Sequence, residues 1–408
     1  MGERFLKVYN PDEVVENLLD KFTTPTTIEE VPIEYAYGLY VAEDIYAKIN
    51  VPPFRKSLVD GYAVRSSDVK GASSSNPSML KIIGTVRIGD YPDEIFVKEG
   101  MTAYVPTGGV VPDGADAVVM CEETERHGDA LFVFKGIAPS SNILDEGSEI
   151  KRDSLVLHKG ERISERNIGL LNSVGIEIVR VLSPLKIGFF STGNEITFAH
   201  PLPRGKIFDF NRITLRYLIE KDGFIATDYG IVRDEEDKIT YTLRKALNEN
   251  DIVLTTGGTS KGTSDFTVGI INALGKPGVL VHGLNVSPGK PTIFGVIDNK
   301  LVVGLSGNPQ AVFMIYSTVI RKLLQRKLGV MIGAHAVFGK LLKQVNSRKG
   351  RVELVGGKLL TLNNENFIEP LLADSSSVSC IKDTDGYFKI PEDVEGLYEG
   401  DVVEFYLW

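Results

Sequence analysis

The stretch "DIVLTTGGTSKGTSDF", Asp251 to Phe266, decides how the middle of this chain is read. An apolar, β-favouring run enters two glycines, a lysine, several hydroxyls and an aspartate, and the helix-like run "DFTVGIINALG" follows. Strand, glycine loop and helix in that order predict one unit of a parallel sheet, with the loop at the strand's carboxyl end. Glycines let backbone N–H groups face outward, and a helix starting near Ser264 or Asp265 brings its positive end close, so an anion fits there. The same two residues also serve as ordinary helix caps. The loop is no Walker P-loop, because its lysine precedes the glycine, and no G-x-G-x-x-G fingerprint opens the fold.

Outward from this stretch the rhythm repeats. "LKIGFF" leads to "STGNE"; a helix "NRITLRYLIEKDG" follows, with Asn211 as its expected N-cap and Gly223 just past its end. "FIATDYGIV" precedes a charged helix from about Asp234 to Leu247, and "VLVHGL" precedes a hairpin "TIFGVIDNKLVVGL" and a final helix. Near-continuous apolar strands between amphipathic helices predict a doubly wound, mostly parallel sheet covered on both faces. Residues 51–140 read as an all-β module of short strands punctuated by Gly and Pro. The expected organisation is an α/β multidomain chain. Residues 1–26 form a helix packing on the α/β domain, 27–50 with 141–177 a connecting layer, 178–330 the α/β domain, and 331–408 a small C-terminal β domain.

A chain of 408 residues with 43% hydrophobic content is too large for one core. Its net charge of −9 argues against a nucleic-acid or anionic-membrane partner. Charges beyond about 8 Å are largely screened at physiological salt, so a few lysines and backbone N–H groups still suffice to attract an anion locally. Two cysteines, Cys121 and Cys380, build no disulfide framework and fit a reducing cytoplasm. No window reaches signal-peptide or membrane-span character, and a cytoplasmic location is expected.

Loops at strand ends of an open parallel sheet converge on one crevice. Here they carry Glu195 in "STGNE", Arg233 and Asp234 in "GIVRDEED", Asp265, and Ser306, Asn308 and Pro309 in "LSGNPQ". Glu195, Asp234 and Asp265 facing one cleft repel each other unless a cation intervenes, and all-oxygen ligands of that kind suit Mg²⁺. Each acid also has a plainer role, Glu195 as a surface residue and Asp234 as part of an acidic helix start. "GLSGN" misses the G-x-S-x-G elbow, and the five histidines include no HExxH, so neither a serine hydrolase nor a zinc site is supported.

Taken together, these loops resemble the molybdopterin molybdenumtransferases of the MoeA type, related to the C-terminal domain of gephyrin. The resemblance rests on "SLVDGYAV" (57–64), "VPTGGVVPDGADAVVMCEET" (105–124), "STGNE", "GGTSKGTSDF", "SPGKP" (287–291) and "SGNPQA", and spans nearly the whole chain. It implies an elongated homodimer with a molybdopterin-binding α/β domain, and a cleft facing the partner's β module. The implied reaction is Mg²⁺-dependent insertion of molybdate, or tungstate, into adenylylated molybdopterin with release of AMP. The molybdopterin adenylyltransferase is an implied partner. By motif, Asp60, Thr107, Glu195, Asp234 and Asp265 would be catalytic, the last three holding the metal. Tyr62, Gly257, Gly258, Thr259, Ser260, Lys290, Ser306, Asn308, Pro309 and Arg351 would contact substrate. Ser287 and Gly283 stand where many members carry lysine, and Ser306 where proline is common. A non-catalytic scaffold and a pterin- or nucleotide-binding phosphoanhydride hydrolase are the competing readings.

Overall fold

The computed structural model describes residues 8–25, 27–258, 264–333, 335–371 and 378–408. A six-stranded sheet forms its centre, with strands β1 (Lys186–Thr192), β2 (Ile225–Val232), β3 (Ile252–Thr256), β4 (Pro277–His282), β5 (Ile293–Ile297) and β6 (Lys300–Leu305). The spatial order is β2-β1-β3-β6-β5-β4. Strands β2, β1, β3 and β6 are parallel. Strand β5 runs antiparallel to both its neighbours, β6 and β4, so the expected hairpin interrupts the mostly parallel sheet at this edge. Its cause is local: Asp298 and Asn299 take φ of 48° and 66°, closing the two-residue β5–β6 hairpin.

Alternation within these apolar strands feeds two cores. Ile187, Phe189, Ile252, Leu254, Leu301 and Val303 enter one, together with Leu215 and Ile219 of α1 (Phe210–Lys221). Phe190, Val253 and Val302 enter the other, against Ile239 and Leu243 of α2 (Glu236–Glu249) and Ile270 and Ile271 of α3 (Ser264–Leu274). Each such side chain contributes about 1.5–3 kcal/mol by leaving water. Helix α4 (Pro309–Ile315) continues through Tyr316–Ile320 and Arg321–Leu328 over the first core, where the helix Pro11–Leu18 also buries Val14, Val15 and Leu18.

Two helix starts differ from the sequence reading. The α1 cap is Asp209, whose carboxylate accepts from the Arg212 N–H at 3.1 Å; Asn211 lies buried in the first turn and donates to the Gly307 carbonyl at 2.9 Å. Gly223 ends the helix with φ 82°, as expected. Helix α2 begins at Glu236, which leaves Asp234 on the preceding loop.

Ile178–Leu182, expected to open the α/β domain, is instead the middle strand of the connecting layer, between Ile28–Pro32 and Tyr40–Val41. The β module inserted into this layer holds a six-stranded sheet in which Gly61–Val64 pairs with Met101–Val105 and Ala117–Met120. In the C-terminal part, Val352–Leu362 pairs with both Glu365–Pro370 and Gly386–Ile390, closing a small barrel. Trp408 fastens this barrel to α4, its ring edge-on to Phe313 at 4.5 Å. Among the described residues no helix is long and apolar enough to cross a membrane.

The layers meet at a buried ion pair. Arg321 donates twice to Asp222, at 2.9 Å each, and the Tyr40 hydroxyl of the connecting layer donates to the Asp222 carbonyl at 2.8 Å. Asp222→Ala strands the guanidinium without its partner, so stability should fall by roughly 3–5 kcal/mol in urea unfolding of the full chain. A loss under about 1 kcal/mol would show that water reaches the site.

Candidate active site

The parallel strands end at one rim. There the loop after β1 carries Glu195, the loop after β2 Asp234, the turn after β3 Gly257 and Gly258, and the turn after β6 Ser306. These residues line a cleft of about 910 Å³. Because β5 is antiparallel, the segment leading into it reaches the same rim and adds Ser287 and Lys290. The far wall belongs to the C-terminal barrel: Val286–Ser287 pairs in parallel with Val352–Glu353, bringing Arg348, Lys349 and Arg351 to the cleft.

The loop with Glu195 is tied to its neighbour. The Asn194 N–H donates to the Asp234 carboxylate at 3.2 Å, and the Gly193 N–H to the Val232 carbonyl at 3.4 Å. Glu195 and Asp234 therefore share one end of the rim, and among the described residues neither has an ion-pair partner. Beside them Thr192 Oγ1 is buried without a hydrogen-bond partner among the described residues, a group available to a ligand. Gly257 and Gly258 have φ of 87° and 65°, and a Cβ on Gly257 would sit 2.2 Å from the Thr192 carbonyl oxygen. Only glycine permits that approach.

Other expected site residues are distributed unevenly. Lys290, Ser306 and Arg351 line the cleft, and Arg351 lies 3.4 Å from Glu353 while its Nε is buried without a partner among the described residues. Asn308 caps α4, accepting from the Gln310 N–H at 3.1 Å, and Pro309 opens that helix without lining the cleft. Thr259, Ser260 and the side chain of Asp265 lie outside the described residues. Among the described residues no group of three His, Cys, Asp or Glu side chains gathers to hold a metal ion. Sequence reasoning missed Thr192, Arg348 and Lys349; "SRKGR", 347–351, was a basic cluster in an acidic chain and the available signal for two of them.

A second group lies on the β module and does not line the cleft of its own chain. Asp60 accepts from both the N–H and the hydroxyl of Thr107, at 2.7 and 3.1 Å, across 47 residues of sequence. Tyr62 does not share that exposed position: it is 7% exposed, packed edge-on against Tyr104 at 5.6 Å, and belongs to the module's core. Burial pushes the Cys121 thiol up, and the carboxylates of Glu122 and Asp60 add to it.

Comparison with known proteins converges on one family. A Methanocaldococcus jannaschii protein assigned to molybdopterin biosynthesis is 35% identical over 97% of this chain and 96% of its own. A molybdopterin molybdenumtransferase from Haemophilus influenzae is 32% identical over 78% and 77%. The chain belongs to the MoeA family. It is a transferase of molybdenum-cofactor biosynthesis. Residues 9–175 match the MoeA N-terminal region (domain I and II), 188–326 a domain described as "Probable molybdopterin binding domain", and 339–408 the MoeA C-terminal region (domain IV). A crystal structure of a molybdopterin biosynthesis MoeA protein from Pyrococcus horikoshii superimposes with a TM-score of 0.82, at 36% identity, over 98% of this chain and 99% of that one.

Asp60→Asn removes one of the two carboxylates that disfavour the Cys121 thiolate. In a Cys380→Ser background, iodoacetamide labelling of Cys121 at pH 8 should then accelerate about two- to fivefold. An unchanged rate would mean that the Asp60 charge does not reach the thiol.

Proposed function

We propose that this MoeA-family chain inserts molybdate, or tungstate, into adenylylated molybdopterin in a Mg²⁺-dependent reaction that releases AMP. The observation that carries the reading is the meeting of Glu195, Asp234, Lys290 and the Gly257–Gly258 turn in one cleft. The substrate combines a phosphoanhydride with a flat pterin, and the cleft offers a cation, the side-chain-free Gly257–Gly258 backbone and an unpartnered hydroxyl on Thr192. Lys290 binds an anhydride oxygen, a charge-assisted contact worth roughly 1.5–3 kcal/mol. Gly257 and Gly258 let the backbone approach the phosphate or the pterin closely.

Mg²⁺ fits the donor set, because Glu195 and Asp234 are oxygen ligands that form no ion pair among the described residues. Asp265 would be the third ligand. When bound, the ion would neutralise charge on the departing phosphate. Glu195 and Asp234 fix the rim at which the nucleotide is oriented, and Lys290 holds it there as the anhydride opens.

Asp60 and Thr107 lie away from this cleft within one chain, which supports a homodimer in which the partner's β module completes each site. The Asp60 carboxylate, held by two donors from Thr107, is then presented to the oxyanion end of the substrate. We place the protein in the cytoplasm, receiving its substrate from the molybdopterin adenylyltransferase.

Incubation with adenylylated molybdopterin, Mg²⁺ and molybdate should release AMP only when molybdate is present. Glu195→Gln and Asp265→Ala should each lower kcat at least about 100-fold with the fold intact by circular dichroism. Release independent of molybdate would indicate a hydrolase, and no binding a scaffold. Co-expression of Asp60→Asn with Glu195→Gln should restore about a quarter of wild-type activity, since half the random dimers hold one intact site. No restoration would sink the shared-site arrangement.

A further inference from the structure

Two turns at the rim of the sheet lie against each other. The Gly257 N–H donates to the Leu305 carbonyl at 3.1 Å, which ties the turn after β3 to the end of β6, and a Cβ on Gly307 would stand 3.7 Å from the Gly257 Cα. Gly257, Gly258 and Gly307 all line the cleft, so glycine backbone borders one stretch of it. What such backbone offers a ligand depends on the edge that each peptide presents, because an N–H attracts an anion and a carbonyl oxygen repels it. A glycine peptide has no Cβ to restrict how it turns, so another group has to set it.

Two buried side chains do so. Asn211, in the first turn of α1 and 7% exposed, donates its Nδ2 to the Gly307 carbonyl at 2.9 Å. Thr267 on α3, also 7% exposed, donates its hydroxyl to the Gly258 carbonyl at 3.1 Å. Neither side chain lines the cleft, so both carbonyls are drawn toward the helices behind the rim. In a trans peptide the N–H points opposite to the C=O. The Asn308 N–H accordingly lies on the other side, 3.4 Å from the Oγ of Ser306, a residue that does line the cleft.

Neither contact is what the helices themselves require. Asp209 already caps α1, and the Asn211 Oδ1 is buried without a hydrogen-bond partner among the described residues. An apolar side chain would avoid that cost, so the bond to Gly307 is what the carboxamide contributes. A helical threonine commonly bonds to a carbonyl four residues back in its own helix. Thr267 reaches instead to Gly258, nine residues away.

We propose that Asn211 and Thr267 are positioning residues for the anionic substrate: by holding the Gly307 and Gly258 carbonyls behind the rim, they keep negative peptide edges away from its phosphates. The inference rests on the reading of this cleft as the site of adenylylated molybdopterin.

Titration calorimetry with AMP, without Mg²⁺, tests the role in wild-type protein and in T267V, T267S, N211A and N211D, at pH 8 and pH 5.5. T267V keeps the shape of threonine without the donor and should bind AMP about tenfold more weakly, whereas T267S keeps the donor and should stay within about threefold of wild type. At pH 8 both N211A and N211D should lose about tenfold, because an ionised aspartate cannot donate to Gly307. At pH 5.5 the protonated carboxyl of N211D donates again, so its affinity should return to within about threefold of wild type at that pH, while N211A stays weak. The charged groups around the start of α1 are Asp209 and Asp228, which with burial raise the pKa of that carboxyl, and Arg212 and Arg216, which lower it. N211A retains all four and is the control. Circular dichroism checks folding, and the T267V/T267S pair carries the comparison if N211A unfolds. Wild-type affinity in T267V and N211A overturns the positioning role, as do an equal loss in T267V and T267S, a loss in N211D that does not change with pH, or no binding of AMP by the wild type. Turnover separates this from the parent reading. Molybdate-dependent AMP release by the wild type, with undiminished AMP binding in T267V and N211A, removes the positioning role alone, whereas the expected binding losses without that release keep the role and remove the assigned reaction.

Discussion

Burial of the central sheet on both faces is the constraint from which the rest follows. Phe189 and Phe190, adjacent on β1, point into opposite apolar cores, where burying a polar group is costly. Chemistry is thereby excluded from the faces and confined to the strand ends, where backbone groups are freed from the ladder and loops can vary. The cleft lies at the ends of β2, β1, β3 and β6 because no other part of the sheet can present Glu195, Asp234 and Ser306 together.

An edge of a sheet alone makes an open groove. The short parallel pairing of Val286–Ser287 with Val352–Glu353 converts that groove into a hollow with two walls, one acidic and one basic. Trp408 against Phe313 reinforces the same junction from the far side of the barrel. The geometry of the site therefore depends on how firmly the C-terminal barrel is seated, and a defect at Glu392 or Trp408 would disturb ligand contacts without touching them.

Much of this was legible in the sequence, and the parts that were not share a cause. Apolar runs such as "DIVLTT" and the "DN" turn between β5 and β6 are local signals, and the strands and hairpin they predict are present. The place of β4 at the sheet edge, beside β5, was not legible, because pairing depends on where the chain returns and not on the residues of the strand. The α1 cap was misread at Asn211 for a similar reason: Asp209 and Asn211 are both capable caps, and the contact with Gly307 from a distant loop draws Asn211 into the interior. Tyr62 lies inside the strand Gly61–Val64, every residue of which is buried, while Asp60 precedes that strand at the surface, a difference that their shared place in "DGYA" does not signal. Arg348 and Lys349 acquire their position only through docking of the barrel, which no local pattern encodes.

The β module leaves and re-enters the connecting layer at one place. Val51 and Ile150 bridge there, with the Val51 N–H donating to the Ile150 carbonyl at 2.7 Å, and Lys56–Ser57 pairs with Ile143–Leu144 just beyond. Two adjacent stems make the module a cassette: its excision would ask only for a short bridging turn, and a chain lacking it could still fold around the same α/β sheet. Change in the Asp60 region can thus accumulate during evolution without reopening the problem of how the central sheet folds.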